Sequence, residues 1–337
     1  MKQIISTLVI VLLGLFIITG CEKDTNSALS DQQLEDNAIT EILTNENIEE
    51  SDYVVDWGID DIDESQMYNG FSTFSPGSYF PKILTPIDSV VRFGRILNRR
   101  IPRTLLIRRI SPDTILVHME RVWGGNFLIL EQPLTEDSLI LHRKPLIHII
   151  KRTAIFTKRI EDEDAMRDPR RRWKLSAISM GLGNSRPVPT VEIHQIDVTT
   201  SAGDSYSFTN PLRTIFSIPD DLPVVAQGEV VTVQVLVSNS SNNQVVNPET
   251  GATETLLLHF GLNRLHRARK QFEYLGVDPN TGYNLFKGVW TVHEPAFRPF
   301  HAVIDAIDNG TIYDEDEQTY PYNSMTWGFP YRVVLTK

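Results

Sequence analysis

The chain contains one cysteine, Cys21, and it stands just after an apolar stretch that occupies residues 4–18. With one thiol no intramolecular disulfide can form, so a chain of 337 residues must be held by buried apolar surface and hydrogen bonds alone. A disulfide-stapled scaffold and an all-thiolate metal site are both excluded. Lys2 gives the segment a positive start, and Ile18, Thr19 and Gly20 lead up to the cysteine. The run of 15 residues is shorter than the roughly 20 that a spanning helix needs. The charged residues Glu22, Lys23 and Asp24 follow at once.

Lys2, the apolar run and the close Ile18-Thr19-Gly20-Cys21 resemble the signal peptide and lipobox of bacterial lipoproteins. That resemblance implies that residues 1–20 are removed, that Cys21 is acylated, and that the rest of the chain is tethered to a membrane by lipid. Each buried acyl methylene contributes about 0.8 kcal/mol, so several chains anchor a protein firmly. Glu22 stands where an aspartate would favour inner-membrane retention. The expected location is therefore the outer membrane, with the body either periplasmic or surface-exposed.

Charge marks the first boundary. Residues 22–64 hold fifteen acids and one lysine, a composition that buries no large core. Residues 21–56 read as an acidic tether with one amphipathic helix over 31–48. Leu34, Ala38, Ile39, Ile42 and Leu43 have helical spacing, and Ser30 with Gln33 makes an N-terminal cap. Its apolar face needs a partner, most simply the folded body behind it. Arginines then accumulate over residues 92–172. An exported chain meets little nucleic acid, so the acidic segment, lipid phosphate or anionic sugars are the better counterparts, and no nucleic-acid partner is expected.

Residues 57–182 read as one α+β domain. The pattern predicts a helix over 87–97, strands over 103–110 and 114–122, a hairpin turn at Gly124-Gly125, and strands over 126–131, 145–159 and 173–180. A helix, meandering long strands and a closing strand Trp173-Lys174-Leu175-Ser176-Ala177-Ile178-Ser179 are similar to the NTF2-like fold. That resemblance implies a curved antiparallel sheet around a helix, often with a pocket carrying histidine and aspartate. His118, His142 and His148 lie on or beside strands here, with no matching acid, so no catalytic residue is assigned.

Residues 181–189, rich in glycine and proline, read as a linker. Residues 190–337 then read as all-β. The clearest strand runs over 228–239, where Val231, Val233, Val235 and Val237 share one side. The strand series resembles bacterial immunoglobulin-like domains, which implies a β-sandwich. The expected fold class is thus α+β and all-β, NTF2-like then immunoglobulin-like.

Two places in this second part could carry chemistry. Asp305, Asp308, Asp314, Glu315, Asp316 and Glu317 surround Asn309-Gly310, and hard carboxylate oxygens suit calcium, although the spacing is not that of an EF-hand. Asp305, Asp308, Asp314, Asp316 and Glu317 form the candidate calcium loop, against the plainer reading of an acidic hairpin facing water. Arg267 precedes an aromatic-rich end with Trp290, Tyr322 and Trp327, and exposed aromatics beside cations bind sugar faces or protein hot spots. Aromatics also fill sandwich cores. His259, His266, His293 and His301 lack paired zinc spacing.

No Gly-x-Ser-x-Gly elbow, phosphate loop or HExxH motif occurs. The expected function is a lipid-anchored envelope binding or scaffolding protein with a glycan or envelope-protein partner. The alternative is an envelope hydrolase with a pocket in the first domain.

Overall fold

The computed structural model describes residues 30–44, 90–98, 103–131, 139–159, 169–247, 250–261, 267–293 and 299–335. Cys21 and most of the expected tether lie outside them. The elements are α1 (Asp31–Thr44), β1 (Val90–Asn98), β2 (Arg103–Ser111), β3 (Thr114–Glu131), β4 (Ile140–Lys158), α2 (Pro169–Arg172), β5 (Trp173–Ser179) and β6 (Gly181–Ser185). There follow β7 (Val191–Thr200), β8 (Ser205–Phe208), β9 (Ile215–Ser217), β10 (Val224–Ala226), β11 (Val230–Asn239) and β12 (Glu254–Gly261). The series closes with β13 (Arg267–Gln271), β14 (Glu273–Val277), β15 (Asn284–Thr291), β16 (Pro299–Asp308), α3 (Asn309–Tyr313) and β17 (Ser324–Val334).

Helix α1 opens on a capping box. The Gln33 N–H donates to Ser30 Oγ (3.3 Å) and the Ser30 N–H donates to Gln33 Oε1 (2.9 Å). Ala38, Ile39, Ile42 and Leu43 are buried along one side, and the last three join a core cluster with Ile115, Val117, Phe156 and Trp173. Arg109 fixes the helix from outside, donating to Asp36 (2.8 Å) and Glu35 (3.1 Å).

Among the described residues everything else of size is strand, and two sheets result. The larger has twelve strands in the order β1-β3-β4-β6-β17-β16-β12-β13, with β2 beside β3, β5 beside β4, β9 beside β5, and β10 parallel to β17. The smaller runs β14-β15-β11-β7-β8. In β11 the valines 231, 233, 235 and 237 are all fully buried, as strict alternation requires. They pack, with Ile193, Ile196 and Val198 of β7, in one cluster with Ile304 of β16, Trp327 and Phe329 of β17 and Leu256 of β12. Strand β13 leaves the large sheet at Phe272 and continues as β14 in the small one. The Phe272 ring lies directly over Gly288 of β15, where a side chain would collide with it.

Three expectations about this part fail, each for a physical reason. The described residues of the helix expected over 87–97 form strand β1, which pairs with β3 from Val90 to Asn98. Val90, Val91 and Ile96 are β-branched, and the inward alternation of Phe93 and Arg95, both buried, outweighs a loose helical spacing. Gly124 and Gly125 make no hairpin turn. They pair with Asn98 and Leu97 on one side and with Ile147 and Leu146 on the other, so β3 runs through them for 18 residues.

The third failure removes the linker. Residues 181–185 are strand β6, which pairs with β4 on one side and β17 on the other. The units expected at 57–182 and 190–337 therefore share one continuous sheet and are not separate domains. The glycines have a steric reason: a Cβ on Gly183 would overlap Thr326 Oγ1 and His148 Nε2, and one on Gly181 would meet the Arg152 guanidinium.

Candidate functional site

The large sheet curls. Strand β16 stands five places from β1 in the strand order, so a flat sheet would hold them roughly 24 Å apart. Yet Arg95 of β1 makes a bidentate ion pair with Asp305 of β16, Nη1 to Oδ2 at 2.5 Å and Nη2 to Oδ1 at 3.0 Å. Both side chains are buried. Phe93, Trp123, Phe127, Leu146, Ile150, Leu257, Ile307 and Tyr322 form the apolar cluster within the curl.

Around the pair lies a polar network in which every hydrogen can be assigned from Arg95. A guanidinium only donates, so Tyr322 Oη accepts from Arg95 Nε (2.9 Å) and spends its own hydrogen on His148 Nδ1 (3.0 Å). His148 then carries its proton on Nε2 and donates to Thr326 Oγ1 (3.3 Å). Asp305 also accepts from Ser324 Oγ (2.7 Å) and from His259 Nε2 (3.3 Å), which fills its four lone-pair sites. The remaining nitrogen of His259, Nδ1, is buried with no hydrogen-bond partner among the described residues. Beside the network, Arg152 Nη1 donates to His301 Nε2 (3.0 Å).

Electrostatics follow from this geometry. Burial alone would push the Asp305 carboxyl up, but the adjoining Arg95 charge and the His259 hydrogen bond outweigh it and hold the carboxyl far below the ordinary carboxylate range. Burial and the neighbouring Arg95 charge hold His148 down to about 3, so it stays neutral. Burial pushes the Tyr322 hydroxyl up to about 12. Arg95 and Asp305 are thus a matched cation and anion, both buried. Removing one member of such a buried pair typically costs about 3–5 kcal/mol, because the other charge is left without a counterpart.

The candidate calcium loop does not assemble. Asp305 belongs to Arg95. Asp308 caps α3, accepting from the Gly310 N–H (2.7 Å), and takes Thr190 Oγ1 (3.1 Å) and Asn239 Nδ2 (3.0 Å) on its other oxygen. Asp314 and Asp316 close local turns onto the N–H groups of Asp316 and Gln318, and Glu317 is exposed. Among the described residues no three His, Cys, Asp or Glu side chains converge as metal ligands. A lysine does part of the work a cation would do there. Lys144 Nζ donates to the Gly310 and Tyr320 carbonyls (2.9 and 2.6 Å). Burial lowers its pKa to about 8 against the opposing pull of Asp314, Asp308, Asp316 and Glu317.

The aromatic binding face does not form on the predicted residues either. Trp290, Tyr322 and Trp327 are at most 3% exposed. Trp290 packs against Phe260, Phe329 and Tyr331, and Tyr322 belongs to the buried network. Arg267 lies on β13, and its side chain falls outside the described residues. Of the strand histidines, His142 bridges Glu131 (2.6 Å) and Glu315 (3.3 Å), His118 meets Thr153 (3.1 Å), and His148 is central to the network.

Sequence reasoning missed Arg95, His259, Lys144, Ser324 and Thr326 as partners. The only available signal was a charge at an inward strand position, between Phe93 and Leu97 for Arg95 and between Arg143 and Pro145 for Lys144.

No family model matches the chain, and no curated protein matches it in sequence. Among solved structures the chain has a likeness to the SMP domain and tandem C2 domains of Extended-Synaptotagmin 2, at 8% identity and a TM-score of 0.17, covering 71% of this chain and 90% of that one. A TM-score of 0.17 carries no argument about fold or function.

Proposed function

We propose that this chain is a lipid-anchored cell-envelope protein that binds or scaffolds another envelope component at the outer membrane, on its periplasmic or its outer side. The observation that carries this reading is the apolar run closed by Ile18-Thr19-Gly20-Cys21. The docking of α1 supports it. Only eight residues separate Cys21 from Ser30, at most about 32 Å of extended chain, so an acylated Cys21 keeps the body close to its lipid.

Binding is favoured over hydrolysis because Arg95, Asp305, His259 and His148 are paired and buried, and His142, at the half-buried cluster with Glu131 and the exposed Glu315, has both ring nitrogens engaged. A hydrolase would need an acid or base that substrate can reach, and the His259–Asp305 pair is sealed inside the curl. A protein partner is favoured over a glycan, since Trp290, Tyr322 and Trp327 fill cores where a sugar-stacking platform would need them on the surface. In architecture we propose an NTF2-like curved sheet merged with an immunoglobulin-like sandwich. The docked α1 and the two facing sheets support it.

The test is metabolic labelling of the full chain with an alkynyl palmitate analogue. Label should enter the native chain and be lost in Cys21→Ser. A native chain that takes no label, or a Cys21→Ser variant that still does, would overturn the anchor.

A further inference from the structure

Strand β2 has one strand partner among the described residues, β3, which leaves its other edge of backbone N–H and C=O groups open over 9 residues. An open edge of that length pairs readily with an extended chain of suitable pattern. Its two faces differ. Leu105 and Ile107 are half-buried and pack on the core cluster that holds Ile39, Ile42 and Leu43 of α1, so the apolar core runs out to this edge. On the outer face Leu106 and Ile110 are 62% and 56% exposed, with the exposed Arg108 between them. A strand that completes this edge needs apolar side chains beside Leu105 and Ile107 and tolerates polar ones on the outer face, where an acid would suit Arg108.

One stretch of the chain has that pattern. Tyr53, Val55, Trp57 and Ile59 alternate with Val54, Asp56, Gly58 and Asp60, and residues 45–81 contain no lysine or arginine. Its tether also fits. Seven residues separate Asp52 from Thr44, the end of α1, a reach of about 28 Å against a length of about 26 Å for β2. An antiparallel strand here runs from the Ser111 end of β2 to its Arg103 end, and so heads along β3 towards Glu131, opposite which Val90 opens β1. Residues 61–89 are long enough to make that connection. Net charge does not choose this occupant, because the connection from β4 to α2 carries Glu161, Asp162, Glu163, Asp164 and Asp168. The open edge, the alternation and the reach do.

We propose that residues 52–60 add to the open edge of β2 as an antiparallel strand of the same chain, with Asp56 opposite Arg108. In that register Trp57 faces Ile107, Ile59 faces Leu105, and Val54 faces Ile110, so the apolar core is carried one strand further. A slip of one residue would turn the aromatic face to solvent. The acidic segment is then fixed to the body as far as Asp60, and the β2 edge is closed to a strand from another molecule. None of this depends on the anchor reading above.

The test uses the full chain carrying Cys21→Ser, which has no thiol of its own. Asp56→Cys is combined either with Arg108→Cys or with Thr104→Cys, four residues away on the same face, and disulfide formation under a mild oxidant is followed by mass and non-reducing gel. Directly opposed residues of an antiparallel pair lie within disulfide range, whereas a four-residue offset adds about 13 Å along the strand. The 56–108 bond should form about tenfold faster than the 56–104 bond, or more. Equal rates would mean a loose tether, a disulfide-linked dimer in place of the internal bond would give the edge to a second copy, and no bond in either variant would leave β2 without this strand. Each of these overturns the proposal. Hydrogen exchange gives a check without added cysteines: the outward amides of β2 should exchange about tenfold faster in Val55→Pro than in the native chain, and equal exchange would refute the pairing.

Discussion

Taking the pH from 7.5 to 5 should weaken the fold by about 2 kcal/mol through His148 alone. Folded, that imidazole titrates at about 3, because it is buried beside Arg95 and accepts the Tyr322 hydroxyl. Unfolded, it returns to an ordinary value of about 6.5. Between those two values the unfolded chain binds a proton that the folded chain refuses. Stability from this group is therefore fully present above about pH 6.5 and is lost as pH falls toward 3, at about 1.4 kcal/mol per unit. At pH 5 the deficit is about 1.5 units, or roughly 2 kcal/mol. Asp305 leaves this window clear, since its unfolded carboxyl protonates only below about pH 4. The assay is urea unfolding at pH 7.5 and pH 5, at fixed ionic strength, in the native chain and in His148→Gln. Glutamine can still accept from Tyr322 and donate to Thr326 but does not titrate. The variant should be the less stable at pH 7.5, yet its loss on acidification should be smaller by about 2 kcal/mol. Equal losses in the two proteins would refute the assignment of His148 as the buried neutral base.

Two further outcomes follow from the same packing. Arg95→Met and Asp305→Asn should each destabilise by about 3–5 kcal/mol in denaturant unfolding, while the double variant should lose clearly less than the sum; additive losses would show that the two side chains do not act as a pair. Gly183→Ala should lower stability by about 1–3 kcal/mol in a thermal or urea melt, because its methyl enters space held by Thr326 and His148, and an unchanged melt would show that β6 tolerates a side chain there.

Much of the β content was legible because period-two burial is a local signal. Val231 to Val237 shows it in β11, and the Ser30 cap of α1 needed only Gln33 three residues on. What failed was anything decided by a strand partner far away in sequence. Gly181 and Gly183 read as a linker until Arg152, His148 and Thr326 are seen lying across them. Gly124 and Gly125 read as a turn until both neighbouring strands pair with them. The acidic residues 305–317 suggested a divalent ion because their real cations, Arg95 and Lys144, come from strands 210 and 166 residues away from Asp305 and Gly310. Aromatics were read as a surface for the same reason: composition gives their number, and only the facing sheet decides that Trp290 and Trp327 point inward.

Strand β6 has a consequence for how the molecule can be made. It offers one edge to β4, close behind it in the chain, and the other to β17, where the Ser324 N–H meets Ser185 Oγ across 139 residues. Contacts of that separation close late, since the long intervening loop must be ordered before they contribute anything. A chain emerging from the ribosome would thus present β4 and β6 with an open, pairing-competent edge for as long as β17 remained inside. Protection of that edge during synthesis, by a holding chaperone or by speed, becomes a condition for a productive fold.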